Sequence, residues 1–158
     1  MPEIELLNAL KRKRLTIAVA ESCTGGRICD KLTNVPGSSD VFLGGVVAYS
    51  NDSKVKLLGV SLEVLGTHGA VSSECAAEMA AGVRKAFGAD VGISVTGIAG
   101  PGGGSETKPV GLVFIGLDYK GKKETFRIDN DGDRGRIKED SSDHALKLAL
   151  DLLLSSDR

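Results

Sequence analysis

The chain has 158 residues, 41% of them hydrophobic, which suits a single domain over residues 1–158 with a core of its own. A formal charge of −1 and a pI near 6.1 give no bulk electrostatic reason for a nucleic-acid or membrane partner. Three cysteines, an odd number without metal-ligand spacing, and only two histidines argue for a reduced cytoplasmic chain and against a zinc site or a disulfide scaffold.

Residues 3 to 13 read as a short helix with Ile4, Leu6, Leu7 and Leu10 apolar, and Lys11-Arg12-Lys13-Arg14 as its solvated, cationic end. No long apolar stretch accompanies that basic run, so it is neither a signal peptide nor a membrane span. Leu15 to Ala20 is β-branched and apolar enough for a buried parallel strand. It runs into Glu21-Ser22-Cys23-Thr24-Gly25-Gly26, where Ser22 and Thr24 carry the oxygen chemistry that caps a helix. The helix that follows directs Ile28 and Leu32 inward and stops before the breaker cluster 34 to 39. Val41 to Tyr49 is a second strand, in which Gly44-Gly45 marks a bulge or a close backbone approach.

Ser50 to Ser53 is a capping cluster, and Lys54 to Gly59 a short helix closed by glycine. Lys54 thus faces the positive end of a helix dipole, an unfavourable place that lowers the affinity of its amine for a proton. Leu62 to Leu65 is a further turn of helix. Val71-Ser72-Ser73-Glu74 starts a long alanine-rich helix that runs to about Phe87 with Cys75, Met79, Val83 and Ala86 on one face. Asp90 to Thr96 is a third strand, followed by the glycine-rich loop 97 to 105. Val110 to Tyr119 and Lys123 to Ile128, around Gly121, form an antiparallel hairpin. A polar loop at 131 to 136 leads into a last helix carrying Ile137, Ala145, Leu148 and Leu152.

The order α-β-α-β-α-α-β-β-β-α predicts a three-layer α/β/α domain with a mostly parallel, mixed five-stranded sheet. Ligands of such sheets bind beyond the carboxyl ends of the strands, where Ser22, Tyr49 and Thr96 collect. The glycine loop lacks the terminal Gly-Lys-Ser/Thr of a P-loop, and its glycines do not match G-x-G-x-x-G before a helix. It retains the capacity to offer backbone N–H groups to a phosphate or oxyanion. His68 and His144 are isolated, and no nucleophile-elbow motif supports a Ser-His-Asp triad. Nucleophilic chemistry then needs a hydroxyl activated by something other than histidine. Ser22 with Lys54 meets that need if burial or a positive field keeps the lysine neutral. Cys23, at a helix start, is the rival nucleophile, with Ser22 closer to the strand end.

Ala20 to Gly26, Tyr49-Ser50-Asn51-Asp52-Ser53-Lys54, Gly69-Ala70-Val71-Ser72, Thr96 to Pro101 and Gly132-Asp133-Arg134 together resemble the CinA C-terminal domain family, in order and over nearly the whole chain. The resemblance is to the stand-alone form, without the N-terminal molybdopterin-binding-like domain of full-length members. It implies an amidohydrolase that deamidates nicotinamide mononucleotide to nicotinate mononucleotide and ammonia, needing no metal or cofactor. By the same resemblance Ser22 is the acyl-forming nucleophile and Lys54 its general base, and Tyr49 and Thr96 complete the catalytic set. Arg134 holds the substrate phosphate; where family members often have a second arginine this chain has Lys138, which keeps the charge without the bidentate geometry, and Arg136 is the other candidate for that place. The N–H groups of Cys23, Thr24 and Gly25 form an oxyanion hole, and Gly26 lets substrate approach the backbone. Gly100 to Ser105, Gly102 and Gly103 among them, wrap the ribose phosphate, and Gly97 belongs to the same substrate-binding set. The expected partners are a small-molecule nucleotide and a second copy of the chain, since symmetric pairs are the commonest oligomers. A nucleotide-binding regulatory module that kept the pocket and lost catalysis is the alternative. The set Ser22, Lys54, Tyr49 and Thr96 favours the enzyme, because pure binding needs no serine paired with a lysine.

Overall fold

The computed structural model describes residues 1–156. Pro2 begins α1 (Pro2–Lys13), where its missing N–H leaves no helical bond unmade, and the basic run closes the last turn as expected. Arg14 is left-handed, and Leu15 donates its N–H back to Leu10 across the helix end. β1 is therefore Ile17–Glu21, shifted from the expected 15 to 20, and all five residues are buried, Glu21 included. α2 (Arg27–Thr33) buries Ile28 and Leu32 as the periodicity predicts.

A single 3-10 turn at Ser38–Asp40 precedes β2 (Phe42–Val47). The glycine pair gives both features expected of it. The register against β1 jumps from Ile17↔Phe42 to Ala18↔Gly44, and a Cβ at Gly45 would collide with the Cys29 sulfur and stand 2.9 Å from the Val19 carbonyl oxygen. α2 can lie directly on β2 because that Cβ is missing.

α3 (Asn51–Leu58) begins earlier than residue 54, with the Ser50 hydroxyl accepting the Ser53 N–H at 3.1 Å and Gly59 closing the helix. After α4 (Leu62–Thr67), Ser72 caps α5 (Ser73–Phe87). Cys75, Met79 and Val83 form its buried face. Ala86, expected with them, is exposed in the last turn, where the helix leaves its cover for the Gly88 cap. β3 (Val91–Gly97) is buried over six of its seven residues. β4 (Leu112–Tyr119) and β5 (Lys122–Asp129) form the hairpin, turning through Lys120 and Gly121, both at positive φ. α6 (Arg134–Ser155) completes the described chain.

The strand order is β2-β1-β3-β4-β5, with β1, β2 and β3 parallel and β4 running against β3 and β5. One core lies between the sheet and α1, α2 and α6, and a second between the sheet and α3 and α5. β1 passes to α2 on the first face, whereas β3 is reached from α5 on the second. The carboxyl ends of β1 and β3 thus border the crevice that opens where successive connections take opposite sides. No helix among the described residues is long and apolar enough to cross a membrane.

Candidate active site

Register brings the carboxyl ends of the three parallel strands together, with β3 running on past the other two to Gly97. Glu21 stands beside Val47 on one side and Val95 on the other, the Ser22 N–H donates to Val95 O at 3.0 Å, and the Ala48 N–H donates to Glu21 O at 2.8 Å. Ser22 and Tyr49, just past β1 and β2, and Thr96, near the end of β3, therefore meet along one edge of the sheet. They line a cleft of about 170 Å³ with Cys23, Lys54, Ala70, Gly97 and Arg134. A larger cleft of about 430 Å³, between α1, α2 and α6, is lined by Arg27, Lys31 and Glu139 and holds no serine, threonine or cysteine.

Lys54 Nζ is 3.0 Å from Ser22 Oγ and donates at 3.0 Å to the Tyr49 carbonyl oxygen. The helix start places the residue, and the aliphatic stem is packed so that only 2% of the side chain remains exposed. Burial drives the amine's pKa below the ordinary lysine value. The charges that would act the other way are the thiolates of Cys75 and Cys23. Both thiols are pushed up to about 11, chiefly by burial, so at neutral pH they are protonated and hold no proton on Lys54. A neutral amine keeps a lone pair for the Ser22 hydroxyl and an N–H for Tyr49. That is the arrangement of a general base on a nucleophile.

The same burial rules on the rival. Cys23 is 7% exposed with its thiol raised rather than acidified, so the thiolate is scarce where an attacking group is needed. Cys23→Ala is expected to keep turnover within about threefold of wild type; a loss on the order of 10³-fold would make the thiol the nucleophile.

Tyr49 is 64% exposed at the cleft mouth, where its hydroxyl accepts from Arg134 Nη2 at 3.3 Å. Arg134 Nη1 donates at 2.6 Å to the Gly100 carbonyl oxygen, so its guanidinium joins the glycine loop to Tyr49 across the mouth. Thr96 Oγ1 donates to Ala70 O at 2.9 Å and ties the loop before α5 to the end of β3. Among the described residues His, Cys, Asp and Glu form no group of three or more able to hold a metal ion.

The model of the CinA C-terminal domain matches residues 2–153. The chain belongs to that family. A putative competence-damage inducible protein of Moorella thermoacetica is 60% identical over 139 residues, 88% of this chain and 34% of that protein. A CinA-like protein of Kosmotoga olearia is 49% identical over 149 residues, 94% of this chain and 36% of that one. The chain thus spans about a third of the length of these curated relatives. Among solved structures, a CinA superfamily protein from Klebsiella pneumoniae superposes with a TM-score of 0.94 at 31% identity, covering 98% of this chain and 96% of that one. A competence/damage inducible protein from Agrobacterium tumefaciens gives 0.89 at 38% identity, with 99% and 94% covered.

Not every residue that the CinA resemblance singles out reaches the cleft. Arg136 does not: it is exposed, with Nε 3.4 Å from Asp140. Two residues along α6 is about 200° of rotation, whereas Lys138, four along from Arg134, returns to Arg134's face. Lys138 Nζ accordingly lies beside the Ser22 to Gly26 turn, 3.6 Å from where a Cβ on Gly25 would stand. Gly102 and Gly103 sit at the exposed tip of their loop, outside the cleft lining, and Gly100 is buried and bound through its carbonyl to Arg134. Thr24 is fully buried behind the cleft, its hydroxyl without a partner.

Nor do Ser22 and Thr24 cap α2. Its N-cap is Gly26, with Gly25 and Gly26 at φ 61° and 110°, backbone that L side chains rarely adopt. The N–H groups at the helix start bind instead to the carboxylate of Glu21, a residue that the motif reading passed over. A charged residue at the end of a fully apolar strand was the signal for it.

Proposed function

We propose that this chain is an amidohydrolase that deamidates nicotinamide mononucleotide to nicotinate mononucleotide and ammonia. The observation that carries the reading is the buried 3.0 Å pair of Ser22 Oγ and Lys54 Nζ at the carboxyl ends of the parallel strands. Lys54 takes the hydroxyl proton as Ser22 Oγ bonds to the amide carbon. The tetrahedral oxyanion is held by N–H groups of the turn, and Lys54 returns the proton to the nitrogen that leaves as ammonia. Water then attacks the Ser22 ester, giving its proton to Lys54, and the carboxylate product departs with Ser22 restored. The bonds and protons balance without a metal or cofactor.

Arg134, at the mouth, suits the substrate phosphate, since a guanidinium binds phosphate with two parallel donors. Lys138 supplies a second positive charge on the same face of α6. The cleft itself suits the amide-bearing ring, and the ribose phosphate extends toward Arg134. Wild-type protein with nicotinamide mononucleotide and a chelator is expected to release ammonia and nicotinate mononucleotide in equal amounts. If nucleotide binds but no ammonia appears, the chain is the silent nucleotide-binding module instead.

A further inference from the structure

Glu21 ends β1 with no exposed surface, and a carboxylate so placed has to be matched by donors. They come from the backbone: the Gly26 and Ile28 N–H groups reach Oε1 at 3.1 Å each, and the Cys29 N–H reaches Oε2 at 3.0 Å. No side chain from the cap position takes these groups. The carboxylate thus reaches forward over residues 22 to 25 and fastens the end of β1 to the start of α2. Within the fastened loop the Gly25 N–H donates to Ser22 O at 3.1 Å and the Arg27 N–H to Thr24 O at 3.2 Å. The Cys23 N–H, at the cleft, bonds to no other described residue.

We infer that Glu21 is a positioning residue for acyl transfer: its carboxylate occupies the start of α2 and sets the turn so that Ser22 Oγ and the Cys23 N–H, both at the cleft, serve one carbonyl. This rests on the Ser22–Lys54 reading above. A negative group already bound to the first N–H groups of α2 leaves no place there for a second negative oxygen. The oxyanion is therefore received by the loop and not by the helix. Ser22 also follows Glu21 directly, so any rotation of that carboxylate's anchor moves the nucleophile, whereas Lys54 is held independently by α3 and the Tyr49 carbonyl.

Glu21→Gln keeps the shape and turns one acceptor into an NH₂ that meets N–H donors. Its kcat for ammonia release is expected to fall at least about tenfold with KM within about threefold of wild type, measured where circular dichroism shows the variant folded. Glu21→Asp, one methylene too short to reach α2, is expected to show the same split. A lowered melting temperature with kcat at the wild-type level makes Glu21 merely structural and overturns the inference, as does a raised KM with unchanged kcat. If wild type releases no ammonia, the amidase reading fails separately, and positioning is read on Ser22 itself. A fluorophosphonate forms a phosphonyl ester with Ser22 Oγ as fluoride leaves and Lys54 takes the proton. Intact-protein mass is expected to show labelling at least about tenfold faster for wild type than for Glu21→Gln. Equal rates, including none in either protein, overturn the inference.

Discussion

Lys54→Met is expected to lower kcat/KM for nicotinamide mononucleotide on the order of 10³-fold while leaving nucleotide affinity within a few-fold, as removal of a general base does. Methionine nearly matches the buried stem in volume and supplies no lone pair basic enough for the Ser22 proton. Wild-type kcat/KM is expected to rise with pH through the depressed pKa of Lys54 and to level off above it, because the neutral amine is the working form. The variant should lack that rising limb. Activity within about tenfold of wild type, with the limb intact, would assign the base to another group.

The same residue gives a stability test with a fixed sign. Lys54 binds a proton more readily unfolded than folded, so between its depressed folded pKa and the unfolded value of 10.5 the unfolded state holds more protons and folding stability rises with pH. Below that window the amine is protonated in both states, and the wild-type protein bears the full cost of burying the charged form. Lys54→Met removes that cost, so it should be more stable than wild type at neutral pH, with the difference closing toward pH 10. Thermal unfolding at a series of pH values reads this directly. A base at the cleft is thus held at the expense of the fold, a trade common at active sites.

Much of the fold was legible because its elements are locally marked. The capping cluster from Ser50 and the closing Gly59 bound α3, Ser72 lies at the start of α5 as read, and Gly44-Gly45 announces the bulge over which α2 packs. What periodicity missed was decided at longer range. β1 ends at Glu21 because backbone N–H groups five, seven and eight residues later satisfy its carboxylate, and no property of the apolar run reveals those donors. Lys54 was conspicuous as a cation in the first turn of a helix. Its burial against Ser22, 32 positions earlier, depends on how β1 and α3 meet. The choice between Arg136 and Lys138 is of a different kind, since helical phase alone separates Arg136 from Arg134 and pairs Arg134 with Lys138. The family resemblance supplies types and spacing, and the turn of α6 decides which cations share Arg134's face.

Ser22→Ala is expected to abolish ammonia release, with a loss on the order of 10⁴-fold or more, because removing the nucleophile of a covalent mechanism takes away the whole two-step path. The change is mild for the fold: the Ser22 Oγ partner is Lys54 Nζ, which keeps its bond to the Tyr49 carbonyl. Nucleotide should therefore still bind, with a dissociation constant near the wild-type KM, measurable by calorimetry. The competing path is a single step in which Lys54 activates water directly and Ser22 only orders it, and there Ser22→Ala would cost about tenfold. Hydroxylamine separates the two. A Ser22 ester intercepted by hydroxylamine yields the hydroxamate of the nucleotide in place of the acid, at a total rate still set by ammonia departure if acylation is slow. Wild type is expected to form that hydroxamate and Ser22→Ala to form none. Hydroxamate absent from wild-type reactions that still release ammonia would instead place water, and not Ser22 Oγ, on the amide carbon.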